Sequence, residues 1–291
     1  MKLRGKLSVV LILLFCFMAG AIRSAAEPAI WVVKGPHATV YLFGTIHALQ
    51  PDHPWQSAKI DAAIKDSGTL WLEIPNIDDA ASMQPLILQL GMDPAHPLSS
   101  KLTPDQVAKL TKAAAGLPGG EALLESMKPW LAGMMLSLAP VLQAGLDPNS
   151  GVEFVLKPEF TKANKPVNGF ETAEQQIHYF ADMSDKAQIN FLASELDDAD
   201  TAVDKLNQLI AAWYAGDLAK MDELNNADFR DKYPDLFQVL VIKRNQSFTT
   251  QIDQMLKGDG VSFVAVGAGH LVGKDGVPAM LEKLGYKVVR E

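Results

Sequence analysis

Two apolar runs near opposite ends of the chain do most to limit its fold. Tyr41-Leu-Phe-Gly44 and Phe263-Val-Ala-Val-Gly267 each end in a glycine, followed three residues later by His47 and His270. Short runs that are apolar at nearly every position read as strands buried on both faces. Ile30–Val33 and Thr39–Phe43 form a further pair turned by Lys34-Gly35-Pro36-His37, the pattern of a β-hairpin. Trp55–Lys65 has helical spacing and precedes a third strand-like run, Thr69-Leu-Trp-Leu-Glu-Ile74. A strand, helix, strand succession predicts parallel pairing with a crossover.

The middle of the chain reads as helices at Pro104–Ala115, Glu121–Gln143 and Val152–Ala163, with Pro129 kinking or splitting the second. Thr103 before Pro104 has the form of an N-cap followed by proline at the first helical position. A short strand at Lys165–Phe170 is followed by helices at Ala173–Met183, Asp185–Trp213, Asp217–Asn226 and Asp235–Leu256. The chain closes with a strand at Val261–Val266, a helix at Val277–Leu284 and a strand at Tyr286–Val289. The expected fold class is α/β: a central mixed or mostly parallel sheet of N- and C-terminal strands, carrying a large helical insertion. Residues 27–291 are read as one such domain, with the insertion at about 80–160; no tandem repeat or flexible linker divides it.

Composition matters mainly for what it excludes. With 48% hydrophobic and 21% charged residues, the 291-residue chain has the make-up of a globular protein. Its 26 Lys+Arg against 34 Asp+Glu argue against nucleic acid as a partner. Cys16 is the single cysteine, so neither a disulfide framework nor a thiolate-ligated metal is available. Lys2, Arg4 and Lys6 precede an apolar run from Leu7 to Ile22, and Ser24-Ala25-Ala26 supplies the small residues of a cleavage site. Residues 1–26 therefore read as a secretory signal peptide, with a retained membrane anchor as the alternative. Cleavage removes Cys16 and four basic residues and leaves a more acidic, cysteine-free chain expected in the periplasm or outside the cell. Contact with a membrane is expected only through the leader, if it stays uncleaved.

Four strand-like runs end in residues able to do chemistry: His47, Glu73, Glu171 and His270. Ligands of open α/β sheets bind beyond the carboxyl ends of the strands, so four parallel neighbours would bring these side chains to one rim. Glycine lets the backbone leave a strand freely and approach a ligand closely, and histidine supplies a nitrogen donor. Two Gly-x-x-His turns and a carboxylate make a plausible metal site of His47, His270 and Glu73 with positions left for water. Imidazole with carboxylate suits zinc, manganese, iron or cobalt. Glu73 could instead pair with a lysine or cap a helix, and Glu171 could simply complement the dipole of the helix beginning at Ala173. Arg244 and Asn245 lie on a predicted helix, where Arg244 fits either a solvated face or a bidentate clamp on a substrate carboxylate or phosphate. His37, His53, His96 and His178 lack the glycine turn and read as surface residues. Asp197-Asp198-Ala-Asp200 reads as a solvated turn or helix face, and the Met- and Trp-containing stretch Met127–Leu142 as core. No serine nucleophile elbow, P-loop or dinucleotide fingerprint is present.

Tyr41-Leu-Phe-Gly-Thr-Ile-His47, Trp71-Leu-Glu73, Gly169-Phe-Glu-Thr-Ala-Glu-Gln-Gln176, Arg244-Asn245, Val266-Gly-Ala-Gly-His270 and the tail Gly276-Val-Pro…Leu284-Gly-Tyr together resemble the TraB/GumN family. That family is related to the TIKI metalloproteases and similar to the erythromycin-esterase/ChaN-like fold. The resemblance covers about residues 30–290. It implies a metal-dependent hydrolase using manganese- or cobalt-like ions, with His47 and His270 in the site, Glu73 as the acidic partner, and Arg244 with Asn245 as a polar helix pair. Gly151-Val-Glu153 stands where many relatives have Gly-Val-Asp, a departure whose extra methylene moves the carboxylate slightly.

The leading expectation is an exported, peptidase-like hydrolase acting on a peptide or small-molecule substrate. A divalent ion (Mn, Co or Zn type) is its expected cofactor, with His47, His270 and Glu73 as metal residues. Glu73, Arg244, Asn245 and Glu171 are the catalytic candidates: Glu73 as ligand or base, Arg244 and Asn245 beside a developing oxyanion. Two alternatives stay open: a metal-independent esterase-like hydrolase using a histidine and Glu73, and a non-catalytic binder of a peptide or haem-like ligand.

Overall fold

The computed structural model describes residues 27–291 apart from 52, 116 and 118. The signal-peptide reading falls on 1–26, outside the described residues. No described helix is long and apolar enough to cross a membrane.

Six strands form one mixed sheet: β1 (Ile30–Lys34), β2 (His37–Thr45), β3 (Thr69–Leu72), β4 (Val167–Gly169), β5 (Asp259–Gly267) and β6 (Val288–Arg290). Their order is β4-β3-β5-β2-β1-β6. The first four in that order are mutually parallel, and β1 and β6 add antiparallel pairings at one edge. β5, last of the parallel strands in sequence, enters between β2 and β3, so the two histidine-bearing strands lie side by side. The register pairs Thr45 with Gly267 and Leu72 with both Ala265 and Gly169. The four parallel strands therefore end within about two residues of one another, all on one edge.

Alternation along β5 explains why the sheet is covered on both faces. Phe263 and Ala265 join Phe43, Leu72, Trp55, Phe160 and Trp213 on one side. Val264 and Val266 join Leu42, Phe248, Ile252 and Leu281 on the other. A third cluster, including Leu110, Trp130, Leu136, Ile177 and Leu192, belongs to the helices alone. Trp130, Leu131 and Leu136 from the Met127–Leu142 stretch lie in it, as core packing requires.

Local boundaries follow from local chemistry. Thr103 caps Pro104–Ala114 through a reciprocal capping box with Gln106. Pro129 divides the second predicted helix into Gly120–Leu124 and Pro129–Gln143, taking the first position of the latter, where its missing N–H costs nothing. The long helix expected over Asp185–Trp213 is two, Asp185–Asp198 and Ala202–Tyr214. Acidic Asp197 and Asp198 face the negative end of the helix dipole there and favour the break. Asp235–Leu256 is likewise divided: Pro234–Phe237, a wide π-helical turn at Gln238–Ile242, then Lys243–Lys257. The helix Ala80–Gly91 escapes the sequence reading because Pro85 sits inside it.

Trp213 ties a helix to the functional edge of the sheet. Its Nε1 donates to Gly44 O at 2.8 Å in a buried setting, with its ring against Phe43 and Trp55. Trp213→Phe keeps most of the packing and leaves that carbonyl without its indole donor. A loss of about 1–2 kcal/mol in unfolding free energy is expected from urea titration; an unchanged midpoint would show that the bond carries no net stability.

Candidate active site

The aligned strand ends build the site. Glu73 directly follows β3, and its Oε1 accepts the Gly267 N–H at 2.6 Å across the sheet edge. Glu171 follows β4 and donates its backbone N–H to Glu73 O at 2.9 Å, which locks the two acidic segments in step. His270 lies on a tight turn, Ala268–Leu271, that continues β5, and His47 follows β2 by two residues. A Cβ on Gly267 would come to 3.0 Å from Glu73 Oε1, 3.6 Å from His270 Cδ2 and 3.7 Å from His47 Nε2. A side chain there would press on the Glu73 carboxylate and touch both imidazoles, so glycine keeps the position open. The rim anticipated from the sequence is assembled: His47, Glu73, Glu171 and His270 all reach it.

Each imidazole is fastened through Nδ1. His270 is buried, and its Nδ1 lies 2.6 Å from Asn245 Oδ1. Asn245 Nδ2 donates to Asp275 O at 2.8 Å, so the amide oxygen must face His270 and the proton sits on His270 Nδ1. The Nε2 lone pair then faces Arg244 Nη1 at 3.1 Å, with Glu73 Oε1 at 3.7 Å. Burial pushes the His270 pKa down to about 4; Glu73 opposes this and Arg244 and His47 add to it. The ring is neutral at pH 7.

His47 Nδ1 lies 2.7 Å from Glu153 Oε1, which also accepts the Thr45 hydroxyl. Glu153 is buried, and its Oε2 has no hydrogen-bond partner among the described residues. The negative charge of Glu153 raises the His47 pKa, against a smaller opposing effect of burial. The His47 side chain is 66% exposed, so water screens part of that attraction. Burial acts to raise the Glu153 carboxyl, yet His47 and Thr45 hold it below the ordinary range.

The sequence could have pointed to Glu153 through Gly151. A Cβ on Gly151 would lie 2.2 Å from His47 O and 2.7 Å from its carbonyl carbon, while Val152 N donates to Ile46 O at 3.1 Å. The start of the Val152–Lys162 helix therefore presses directly on the His47 turn. Gly151→Ala must push that turn aside, at an expected cost of about 1–3 kcal/mol and with a changed His47 ring environment by NMR. An unperturbed His47 signal would separate the two segments.

Arg244 closes the rim. Its Nε and Nη2 grip Glu171 at 2.9 and 2.8 Å, Nη2 also meets Glu73 Oε2 at 2.6 Å, and Nη1 reaches His270 Nε2 and Leu240 O. Gln176 Nε2 bridges Glu73 and Glu171 at 3.1 and 2.9 Å, and the Tyr179 hydroxyl donates to Glu171 Oε1 at 3.1 Å. Burial acts to raise the Glu73 carboxyl, but His270, Arg244, His47 and the Gly267 N–H together hold it well below the carboxylate range.

Two sequence expectations change here. Asn245 is fully buried behind His270 and points its polar atoms at His270 and Asp275, so it positions a ring rather than meeting an oxyanion. Arg244 is neither on a solvated face nor open to a substrate anion, since its guanidinium is engaged with Glu73, Glu171 and His270. Glu171 serves as the anchor for Arg244, while Thr172 does the capping of Ala173–Ala181. Thr45 and Tyr179 were not singled out from the sequence, and Glu153 was noted there only as a departure from Gly-Val-Asp. Tyr179 and Gln176 follow Glu171 on the adjacent helix, the side-chain signal available for them. His37, His53, His96 and His178 lie away from the rim; His96 and His178 pair with Asp93 and Asp182.

Among the described residues, no three acidic, imidazole or thiol groups converge closely enough to grip an ion as the side chains lie. The donor chemistry nevertheless suits one: His47 Nε2, Glu73 Oε1 and the Cδ2–Nε2 edge of His270 surround the bare Gly267 position, each imidazole fixed from behind. A cavity of about 320 Å³ opens beside them.

The charged side chains gathered beyond the parallel strands lie next to the cavity, at the edge where open α/β sheets carry their ligand sites. The chain is a member of the TraB/PrgY/gumN family, whose profile matches residues 29–290. It is similar to YbaP of Escherichia coli strain K12, an uncharacterized protein, with 24% identity over 254 residues that cover 87% of this chain and 92% of YbaP. YbaP of Shigella flexneri matches with the same identity and coverage. An uncharacterized protein of Treponema pallidum strain Nichols is 21% identical over 95% of this chain and 89% of its own. No solved structure gives a significant match.

Proposed function

We propose that the rim is the active site of an exported, metal-dependent hydrolase cleaving an amide or ester carbonyl, with His47, His270 and Glu73 as the residues that hold the ion. One observation carries this reading. Both imidazoles are fastened at Nδ1 by a buried side chain, Glu153 or Asn245, which turns Nε2 toward Glu73, although His270 Nε2 is shared with Arg244 Nη1. Fixing a metal-binding histidine through its second nitrogen is the usual way a protein sets its tautomer and direction. A bound divalent ion supplies Lewis-acid polarisation of a carbonyl.

The protein's own groups set up the rest. Arg244 and Gln176 hold the Glu73 carboxylate in place, and Glu171 with Tyr179 holds Arg244. Asn245 keeps the His270 lone pair forward, and Glu153 does the same for His47. Loading an ion onto His270 Nε2 requires Arg244 Nη1 to withdraw from it. Amide and ester libraries, tested with metal added and with chelator, examine this reading. Chelator-sensitive cleavage lost in His270→Ala supports it.

The His47–Glu153 pair favours a second reading. A two-thirds exposed imidazole hydrogen-bonded to a buried carboxylate has the arrangement of a general base and its orienting acid. Cleavage that survives strong chelation yet disappears in His47→Ala would select this metal-free hydrolase.

A further inference from the structure

We propose that the site takes a substrate whose scissile carbonyl adjoins an apolar group, and that Leu206 and Leu209 determine the length of that group. The proposal rests on reading the rim as the reacting site. The cavity has two kinds of lining: the rim residues His47, Glu73, Arg244 and His270, and the apolar Val141, Leu146, Leu206, Leu209, Leu240 and Val241. Among the described residues, every charged side chain lining it belongs to the rim. Arg244 spends its N–H groups on Glu171, Glu73, His270 and Leu240 O, so its guanidinium stays with the rim. Against those apolar side chains a charged group would lose hydration without gaining a partner, whereas an apolar group gains from leaving water.

Placement of the apolar side chains supports a role in substrate choice. Leu206 and Leu209 stand three residues apart on Ala202–Tyr214, hence on one face of that helix, and both are only partly buried. Leu240 and Val241 come from the π-helical turn that leads into Arg244, so the apolar wall and the rim's central cation belong to one continuous segment. Wide turns of this kind recur at functional sites. At ~30 Å³ per water-sized group, the cavity volume of about 320 Å³ holds on the order of ten non-hydrogen atoms.

Hydrolysis consumes one water: its oxygen bonds to the carbonyl carbon, the acyl–oxygen or acyl–nitrogen bond breaks, and the leaving group departs with that electron pair. One water proton goes to the amine, alcohol or solvent.

The test has two arms on the intact protein. Calorimetry with linear alkyl methyl ketones, which carry a carbonyl and no leaving group, reads the cavity alone. Affinity is expected to rise about fourfold per methylene and then level off as the cavity fills. Leu209→Trp should move that break to shorter chains, and Leu206→Asn should flatten the rise. The second arm measures kcat/KM for p-nitrophenyl esters of matching length, with His270→Ala as background. Ketone affinity that ignores chain length, or a length dependence left unchanged by Leu209→Trp and Leu206→Asn, overturns the proposal. Length-dependent ketone binding without ester turnover upholds the cavity assignment and counts against the hydrolase reading. Ester turnover without length dependence does the reverse.

Discussion

Arg244→Met is expected to lower the unfolding free energy by about 3–5 kcal/mol at pH 7, the range for breaking a buried ion pair by removing one partner. Glu171 and Glu73 side chains are 3% and 14% exposed, and Arg244 is the cation that meets both. Without it, two buried carboxylates share Gln176 Nε2, and like charges in that setting push one of them to stay protonated. The pH dependence has a definite sign. With Arg244 present, the folded Glu73 pKa lies below its unfolded value, so this group's stabilisation holds above about pH 4.5 and fades as pH falls. In the variant a carboxyl pKa is raised, so the deficit grows as pH climbs above about 4.5 and shrinks below it. Denaturant titrations at pH 4.5 and 7.5 check this, and a deficit that stays constant with pH would exclude the buried-charge account. Arg244→Met combined with Glu171→Gln should recover part of the loss, because one of the stranded charges is gone.

The arrangement around Arg244 also shows what the sequence could and could not disclose. The two Gly-x-x-His turns, Glu73 and Glu171 were legible because each follows an apolar strand, and parallel strands set side by side must deliver their successors to the same edge. Period and burial carry that information locally. Glu153 was not legible in this way. It opens a helix far from His47 in sequence, and only the close backbone approach at Gly151 joins the two. Nor could helix pattern tell which way Arg244 and Asn245 face. The π-helical turn at Gln238–Ile242 changes the angular phase of Lys243–Lys257, so a single 3.6-residue period drawn from Asp235 misplaces everything after it. The break after Asp198 was missed for a related reason: apolar spacing continues across it, and only the charge at the helix end opposes continuation.

If His47, His270 and Glu73 hold a divalent ion, the affinity should climb with pH, and Glu153 should control where the climb ends. A histidine binds metal only after losing its proton, and Glu153 raises the pKa at which His47 does so. Below that pKa each unit of pH costs about tenfold in affinity through this one group. Glu153→Gln removes the negative neighbour and lets His47 titrate nearer the ordinary histidine value of about 6.5. The amide still contacts the ring but fixes it less firmly, a change expected to weaken binding about 10- to 100-fold at high pH. The two effects oppose one another at lower pH, where the variant's histidine is already neutral and the wild type's is still charged. The wild-type and Glu153→Gln affinity curves should therefore converge as pH falls from 9 to 6.5. His47→Ala with His270→Ala should abolish binding across the whole range. Manganese or cobalt titrations followed by calorimetry at several pH values measure all three curves. Retention of metal in the double variant would remove the imidazoles from the metal-binding set; parallel wild-type and Glu153→Gln curves would show that Glu153 fixes the ring without governing its proton.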